Sequence, residues 1–199
     1  IWLNLPKSKK LAPPHFAMLW SDKISSFVKS DSNGLTTQVK VIAGNVDHIK
    51  APDPAPNSWA ADPDNEVAIW LIRMDAGASW NLPPASAAAN RSLYFYSGTS
   101  IKITDNDFTS HQAIELQADQ SVLLENGNSV SWLLLLQGKP INEPVAKYGP
   151  FVMNTQDEIQ QAMAEYRKTE FGGWPWPSHE HVHPRNKGRF AKYPDGTEE

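Results

Sequence analysis

The chain has 199 residues, a formal net charge of −4, and 40% hydrophobic against 20% charged residues. That length suits one ordinary domain with extensions, and the apolar content excludes a disordered chain, although 16 prolines promise many loops. The acidic balance argues against direct nucleic-acid binding, and the lack of cysteine excludes disulfides and thiolate chemistry and suits a reducing, cytoplasmic setting.

Residues 1–5, Ile-Trp-Leu-Asn-Leu, read as a strand ending at Pro6. Lys7, Lys9 and Lys10 follow in what reads as a solvated turn. Further apolar runs bounded by turn residues recur at 36–43, 67–74, 92–96, 100–103, 113–116, 121–124 and 130–136. Short strands at such spacing predict an all-β sandwich or barrel. Between the first two of these runs, residues 50–64 carry Pro52, Pro54, Pro56 and Pro63 and read as a linker or irregular loop. Residues 67–74 leave little polar face, which suits a strand covered on both sides. Asp75-Ala76-Gly77, Ser97-Gly98, Asp105-Asn106-Asp107 and Asn126-Gly127-Asn128 supply the turns, because Gly, Asn and Asp tolerate positive φ.

One helix is predicted over residues 155–170. Thr155 and Glu158 have the spacing of a capping box, Ile159, Ala162, Met163 and Tyr166 share one face, and Gly172-Gly173 ends it. The apolar face reads as core packing. Trp174 and Trp176, each followed by proline, open an irregular tail and read as covering an apolar surface. No stretch approaches the ~18 apolar residues of a membrane span and no signal segment is legible, so no membrane partner is expected; the Asn90-Arg91-Ser92 sequon is read as chance.

Three patterns suggest chemistry and are outweighed by plainer readings. His179-Glu180-His181-Val182-His183 spells a zinc-protease motif, but that chemistry needs a helix, and Pro175, Pro177 and Pro184 bracket the run. Asp62, Asp64 and Glu66 alternate like a calcium loop without its glycine or remaining ligands, so they read as solvated carboxylates. His15, His48 and His111 have no partner at a recognisable spacing for a nucleophilic triad.

The stretch from Leu133 to Thr155, with Glu143-Pro144-Val145 and Gly149-Pro150-Phe151-Val152-Met153-Asn154-Thr155, resembles the C-terminal domain of the pirin family of two-domain cupin proteins. Residues 1–6 and Val39-Lys40-Val41-Ile42-Ala43-Gly44 are similar to that family's first-domain exit strand and inter-domain region. The resemblance implies a cupin barrel with one C-terminal helix. Its implied organisation is residues 1–20 as the last strand and exit of a truncated N-terminal cupin, 21–64 as inter-domain strands and Pro-rich linker, 65–153 as the C-terminal barrel, and 154–199 as helix and tail.

In the wider cupin pattern a His-x-His pair, a Glu and a further His hold a first-row metal. Gly77 and Gly98 can be laid on the first of the two motifs, yet neither histidine nor carboxylate stands at 82–91, and Leu123 or Leu124 falls where the last imidazole would sit. No catalytic, cofactor-binding or metal-ligating residue is therefore expected in this chain. For the complete protein the resemblance implies iron in the absent first barrel and oxidative ring opening of quercetin. The alternative is a non-enzymatic protein-contact or transcriptional co-regulator module. The expected partner is the missing first barrel, or self-association in its place, with a further protein partner as the alternative reading requires.

Overall fold

The computed structural model describes residues 1–180 and 182–199. The chain divides into two compact units, one of Ile1–Leu5 with Leu19–Ile141 and one of Pro6–Met18 with Asn142–Glu199.

In the first unit the strands are β1 (Ser26–Ser30), β2 (Thr36–Ala43), β3 (Asn45–Val46), β4 (Ile49–Lys50), β5 (Ala68–Met74), β6 (Ser79–Leu82), β7 (Asn90–Ser97), β8 (Ser100–Ile103), β9 (Asn106–Thr109), β10 (Gln112–Leu116), β11 (Val122–Asn126) and β12 (Ser131–Gly138). They form a six-stranded sheet in the order β1-β2-β5-β12-β7-β10 and a four-stranded sheet in the order β6-β11-β8-β9, with β3 and β4 as a separate short ladder. The pairings are antiparallel. Among the described residues no ladder closes the two large sheets into one, so the expected barrel is an open sandwich.

Side chains alternate across a strand, so every second residue of each sheet enters the shared core. Val39, Val41, Ile72, Leu93, Phe95, Leu133 and Leu135 from the large sheet belong to one cluster with Trp80, Leu82, Ile101, Ile103 and Leu124 from the small one. β5 lies between β2 and β12 and is apolar on both faces for most of its length, as its composition predicts.

Very short strands escape the sequence reading. β1 (Ser-Phe-Val-Lys-Ser), β6 (Ser-Trp-Asn-Leu) and β9 (Asn-Asp-Phe-Thr) offer too few residues for a periodicity to stand out, and pairing with a neighbour rather than propensity sets them. The reverse holds for residues 1–5, which pair with no strand here, leaving Ile1 79% and Trp2 61% exposed. An apolar segment becomes a strand only when another edge takes its amides.

The proline-rich stretch packs within the first unit rather than running free. Trp59–Ala61 and Pro63–Asn65 form single 3-10 turns, Trp59 Nε1 donates to the Lys139 carbonyl at 2.8 Å, and Asn65 Nδ2 donates to the Trp59 carbonyl at 2.8 Å.

The second unit contains a hairpin, β13 (Ala146–Tyr148) and β14 (Phe151–Met153), followed by the helix α1 (Gln156–Thr169). Thr155 caps α1 as expected: its Oγ1 accepts from Glu158 N at 3.2 Å, while Glu158 Oε2 accepts from Thr155 N at 3.0 Å and Asn154 N at 2.9 Å. Lys7 is not merely a solvated turn residue, because its Nζ pairs with Glu158 Oε1 at 2.6 Å. Its backbone N–H donates to Glu143 Oε2 at 2.7 Å, and Asn154 Nδ2 donates to the same oxygen at 2.8 Å. These contacts hold both carboxyls below their ordinary pKa: for Glu143 the Lys7 amide is the largest cause, and for Glu158 the Lys7 ammonium.

The helix stops earlier than the glycine pair suggests. Glu170 takes the left-handed C-terminal position at φ 49°, and Phe171 follows at φ 52°, placing its ring beside Tyr166 and Phe151. Ile159 and Ala162 are buried, whereas Tyr166 is exposed and belongs to this aromatic cluster. Thr155→Ala should cost about 1 kcal/mol, the ordinary value of a lost N-cap. Thermal unfolding checks this, and a negligible change would show that the box contributes little.

Candidate functional site

The cupin metal pattern can now be placed in three dimensions. Gly77 and Gly98 adopt positive φ, 75° and 134°, and the segment between them holds β6, the Pro83-Pro84 bend and β7. Leu82, Leu93 and Phe95 point into the core from this segment, and Leu124 joins them from β11 with no exposed surface. Leu123, its neighbour, turns outward. Carbon cannot donate to a cation, so these residues do not fit the metal that the cupin pattern implies. Among the described residues no group of three or more His, Asp or Glu side chains converges as a cation site.

The histidines lie elsewhere. His15, His48 and His111 are exposed, and His111 has φ 68° in the turn before β10. The His179 to His183 run includes His181, which lies outside the described residues. His179 stacks on Trp174 with ring centroids 5.8 Å apart and His183 meets Phe190 edge-on at 5.0 Å; neither stands on a helix. Trp174 also packs on Trp176, at 4.8 Å.

A different arrangement occupies one end of the large sheet. The register places Ala68, Gln137 and Arg91 side by side across β5, β12 and β7, with Trp70, Leu135 and Leu93 side by side two residues further along. Side chains two apart share a face, so all of these belong to the inner face of the sheet. Arg91 is only 2% exposed. Its Nε donates to Gln137 Oε1 at 2.8 Å, Nη2 donates to the same oxygen, and Nη1 donates to the Pro83 carbonyl at 2.8 Å. Gln137 Nε2 in turn donates to the Glu66 carbonyl at 2.9 Å.

Glu66, expected as a solvated carboxylate, is instead held on both oxygens. Lys139 Nζ lies 2.8 Å from Oε1 and Ser86 N donates to Oε2 at 2.9 Å. The Lys139 ammonium, and after it Ser86, holds the carboxyl at about 2, well below its usual 4.5. Asp62 Oδ1 accepts from Asp64 N at 3.0 Å and caps a 3-10 turn, so the three alternating carboxylates do not converge.

Arg91, Gln137, Glu66 and Asp62 line a cleft of about 620 Å³ together with Gly44, Val46, Pro52, Pro54, Pro84 and Trp70. Gly44 has φ 76°, and a Cβ there would come 2.5 Å from the Val67 carbonyl oxygen, so only glycine lets the chain turn this close to β5. The sequence contains the signals for this cleft, a lone arginine opening a strand, a glutamine ending another and a proline-rich loop. None has a motif spacing, because the register across three strands brings them together.

The depressed Glu66 pKa has a consequence for acid stability. A carboxylate that ionises more easily folded than unfolded stabilises the fold above its unfolded value, about 4.5, and loses that contribution as pH falls toward 2. Both partners are partly screened by solvent, so the contribution should be about 1 kcal/mol. The stability difference between the wild type and Glu66→Gln, followed by thermal unfolding, should shrink from pH 6 to pH 2; a constant difference would contradict the assignment.

A two-sheet antiparallel sandwich with an apolar interior and a helix after it is the cupin class of fold. Within that class the chain belongs to the pirin family: the Pirin C-terminal cupin domain matches residues 69–172. The chain is 31% identical to mouse (Mus musculus) pirin over 178 residues, which cover 86% of this chain and 56% of pirin. It is 30% identical to a Pseudomonas aeruginosa protein named as a putative quercetin 2,3-dioxygenase, over 86% of this chain and 55% of that protein. The structure of a quercetin 2,3-dioxygenase from Acinetobacter baumannii superposes with a TM-score of 0.70 at 24% identity, over 86% of this chain and 55% of that one, and shows the shared fold. The chain thus spans a little over half the length of these curated relatives. No helix among the described residues is long and apolar enough to cross a membrane.

Proposed function

We propose that this chain is the metal-free, non-catalytic cupin half of a pirin-like protein, equivalent to the C-terminal portion of its relatives. In this reading the redox chemistry, oxidative ring opening of a flavonol such as quercetin, belongs to a first barrel carrying the His-x-His pair, the further His and the Glu that would hold iron. The observation supporting it is the carbon-lined interior, where Leu82 and Leu124 occupy the neighbourhood of the cupin ligand positions. The role of this half is to fold stably and present a surface to the other. After incubation with Fe(II), this chain should consume no oxygen above buffer when given quercetin. Consumption that a chelator abolishes and that a Leu124→Ala substitution impairs would overturn the reading.

A second reading, a protein-contact module, draws on the outer face of the large sheet. Tyr94, Tyr96 and Trp132 are exposed there, and Tyr94 lies opposite Leu134 across the β7–β12 ladder. Exposed aromatic surface of this kind marks contact sites. Sedimentation of the isolated chain should show self-association that Trp132→Lys weakens; a strictly monomeric wild type would count against it.

A further inference from the structure

We propose that Asn33, in the turn between β1 and β2, is a site of spontaneous deamidation with water as co-reactant, while the fold protects the other Asn-Gly pair of the chain, Asn126-Gly127. The modification goes beyond the function proposed above and does not depend on it.

Asparagine followed by glycine is prone to this reaction because glycine has no side chain to hinder attack by its own nitrogen. The Gly34 backbone nitrogen, having given its proton to base, bonds to Asn33 Cγ; the Cγ–Nδ2 bond breaks, and Nδ2 takes up a proton and leaves as ammonia. The product is a cyclic succinimide. Water then opens the ring, its hydroxyl adding to one of the two carbonyl carbons and its proton passing to the nitrogen. Opening at the side-chain carbon gives aspartate, and opening at the main-chain carbon gives isoaspartate, whose backbone runs through the former side chain. No group is oxidised or reduced.

Sequence ranks the two pairs alike, but their surroundings differ. Asn33 is exposed at the tip of the β1–β2 hairpin, and among the described residues its one hydrogen bond is from its backbone N–H to Asp31 Oδ1, so its side-chain amide is free to turn. Gly34 has φ 77° and open space around it, and its N–H gives up a single bond, to the Asp31 carbonyl at 3.1 Å, to become the nucleophile. A hairpin tip of this kind opens at little cost. Asn126 is only 7% exposed, and its Nδ2 donates to the carbonyls of Met74 at 3.3 Å, Asp75 at 2.7 Å and Ser129 at 2.8 Å. Gly127 N donates to the Ser100 carbonyl at 2.9 Å, and the Gly127 carbonyl accepts from Gly77 N at 2.7 Å. Reaction at Asn126 therefore needs local unfolding first.

The change at residue 33 has a structural consequence. Asp31 Oδ1 accepts from Asn33 N at 2.8 Å and Leu35 N at 3.0 Å, while Oδ2 accepts from Ser79 N at 3.0 Å, so this carboxylate ties the hairpin to the start of β6. Deamidation adds a second carboxylate beside it, and like charges at short range repel. Isoaspartate also lengthens the backbone inside this hydrogen-bonded set.

Trypsin, cutting after Lys29 and Lys40, releases Asn33 in the peptide of residues 30–40. When the full chain is aged in mildly alkaline ¹⁸O-labelled water, mass spectrometry of that peptide should show the label at residue 33 and two products, aspartate and isoaspartate. Residue 33 should change at least about tenfold faster than residue 126, the rate factor of about 1.4 kcal/mol. Mildly acidic buffer should slow it, because the attacking nitrogen keeps its proton. In urea the two asparagines should react at similar rates, and a gap that persists there would overturn the role given to the fold. Equal rates in the folded chain, or a residue 33 that changes only after urea has unfolded the chain, would overturn the site itself.

Discussion

Phe95→Ala should lower the unfolding free energy by about 3–5 kcal/mol, the range for removing a fully buried aromatic ring. Phe95 has no exposed surface and stands on β7, in the core cluster shared by both sheets. The fit around it is close: a Cβ added at Gly98 would sit 2.8 Å from the ring, and surrounding structure relaxes only partially into such a void. The cavity therefore persists, and the cost exceeds simple transfer of the ring to water. Urea unfolding should show the midpoint fall with an unchanged slope. A loss under about 1 kcal/mol would mean that the two sheets collapse freely, and that close packing does not hold them.

Arg91→Ala should cost about 2–4 kcal/mol, through a different mechanism. Truncation strands Gln137 Oε1 and the Pro83 carbonyl without their donors at a covered position, and it uncouples the end of β7 from the bend that leads out of β6. Arg91→Lys should recover only part of this, because an ammonium cannot reproduce the guanidinium fork that spans two acceptors. In a double-mutant cycle Arg91→Ala and Gln137→Ala should be less than additive, since each removes the same bonds. Strict additivity would show that the two side chains act separately.

The two substitutions mark where sequence reasoning succeeds and where it stops. The long apolar strands were legible because Ile-Trp-Leu-Ile and Leu-Leu-Leu-Leu patterns demand burial whatever their neighbours, and β5 and β12 appear within a residue or two of the predicted limits. The capping box was legible because it is a local device: Thr155 and Glu158 satisfy each other within one turn. The same stretch shows what the family-like signature does. Glu143, Asn154, Thr155 and Glu158 form one hydrogen-bonded set with Lys7, so the motif builds a hairpin and a helix start.

What depended on tertiary register was not legible. Among the described residues, 1–5 form no strand, and β6 and β9 exist because β11 and β8 pair with them. The cleft joins residues from β5, β7 and β12 and from the proline-rich loop, and nothing in their spacing announces that Arg91 and Trp70 share a face. In sequence Glu66 reads as one of three solvated acids because Lys139, its partner, lies far along the chain. Between Gly77 and Gly98 the absence of histidine is a local fact of the sequence that tertiary structure cannot reverse.

The interior between the two sheets offers a cation only carbon, and no ligand. Crystals of the chain soaked in Fe(II) and measured on both sides of the iron absorption edge test it most directly. No anomalous peak is expected among Leu82, Leu93, Phe95 and Leu124; a peak there, coordinated by side chains of this chain, would show that the interior does hold a cation.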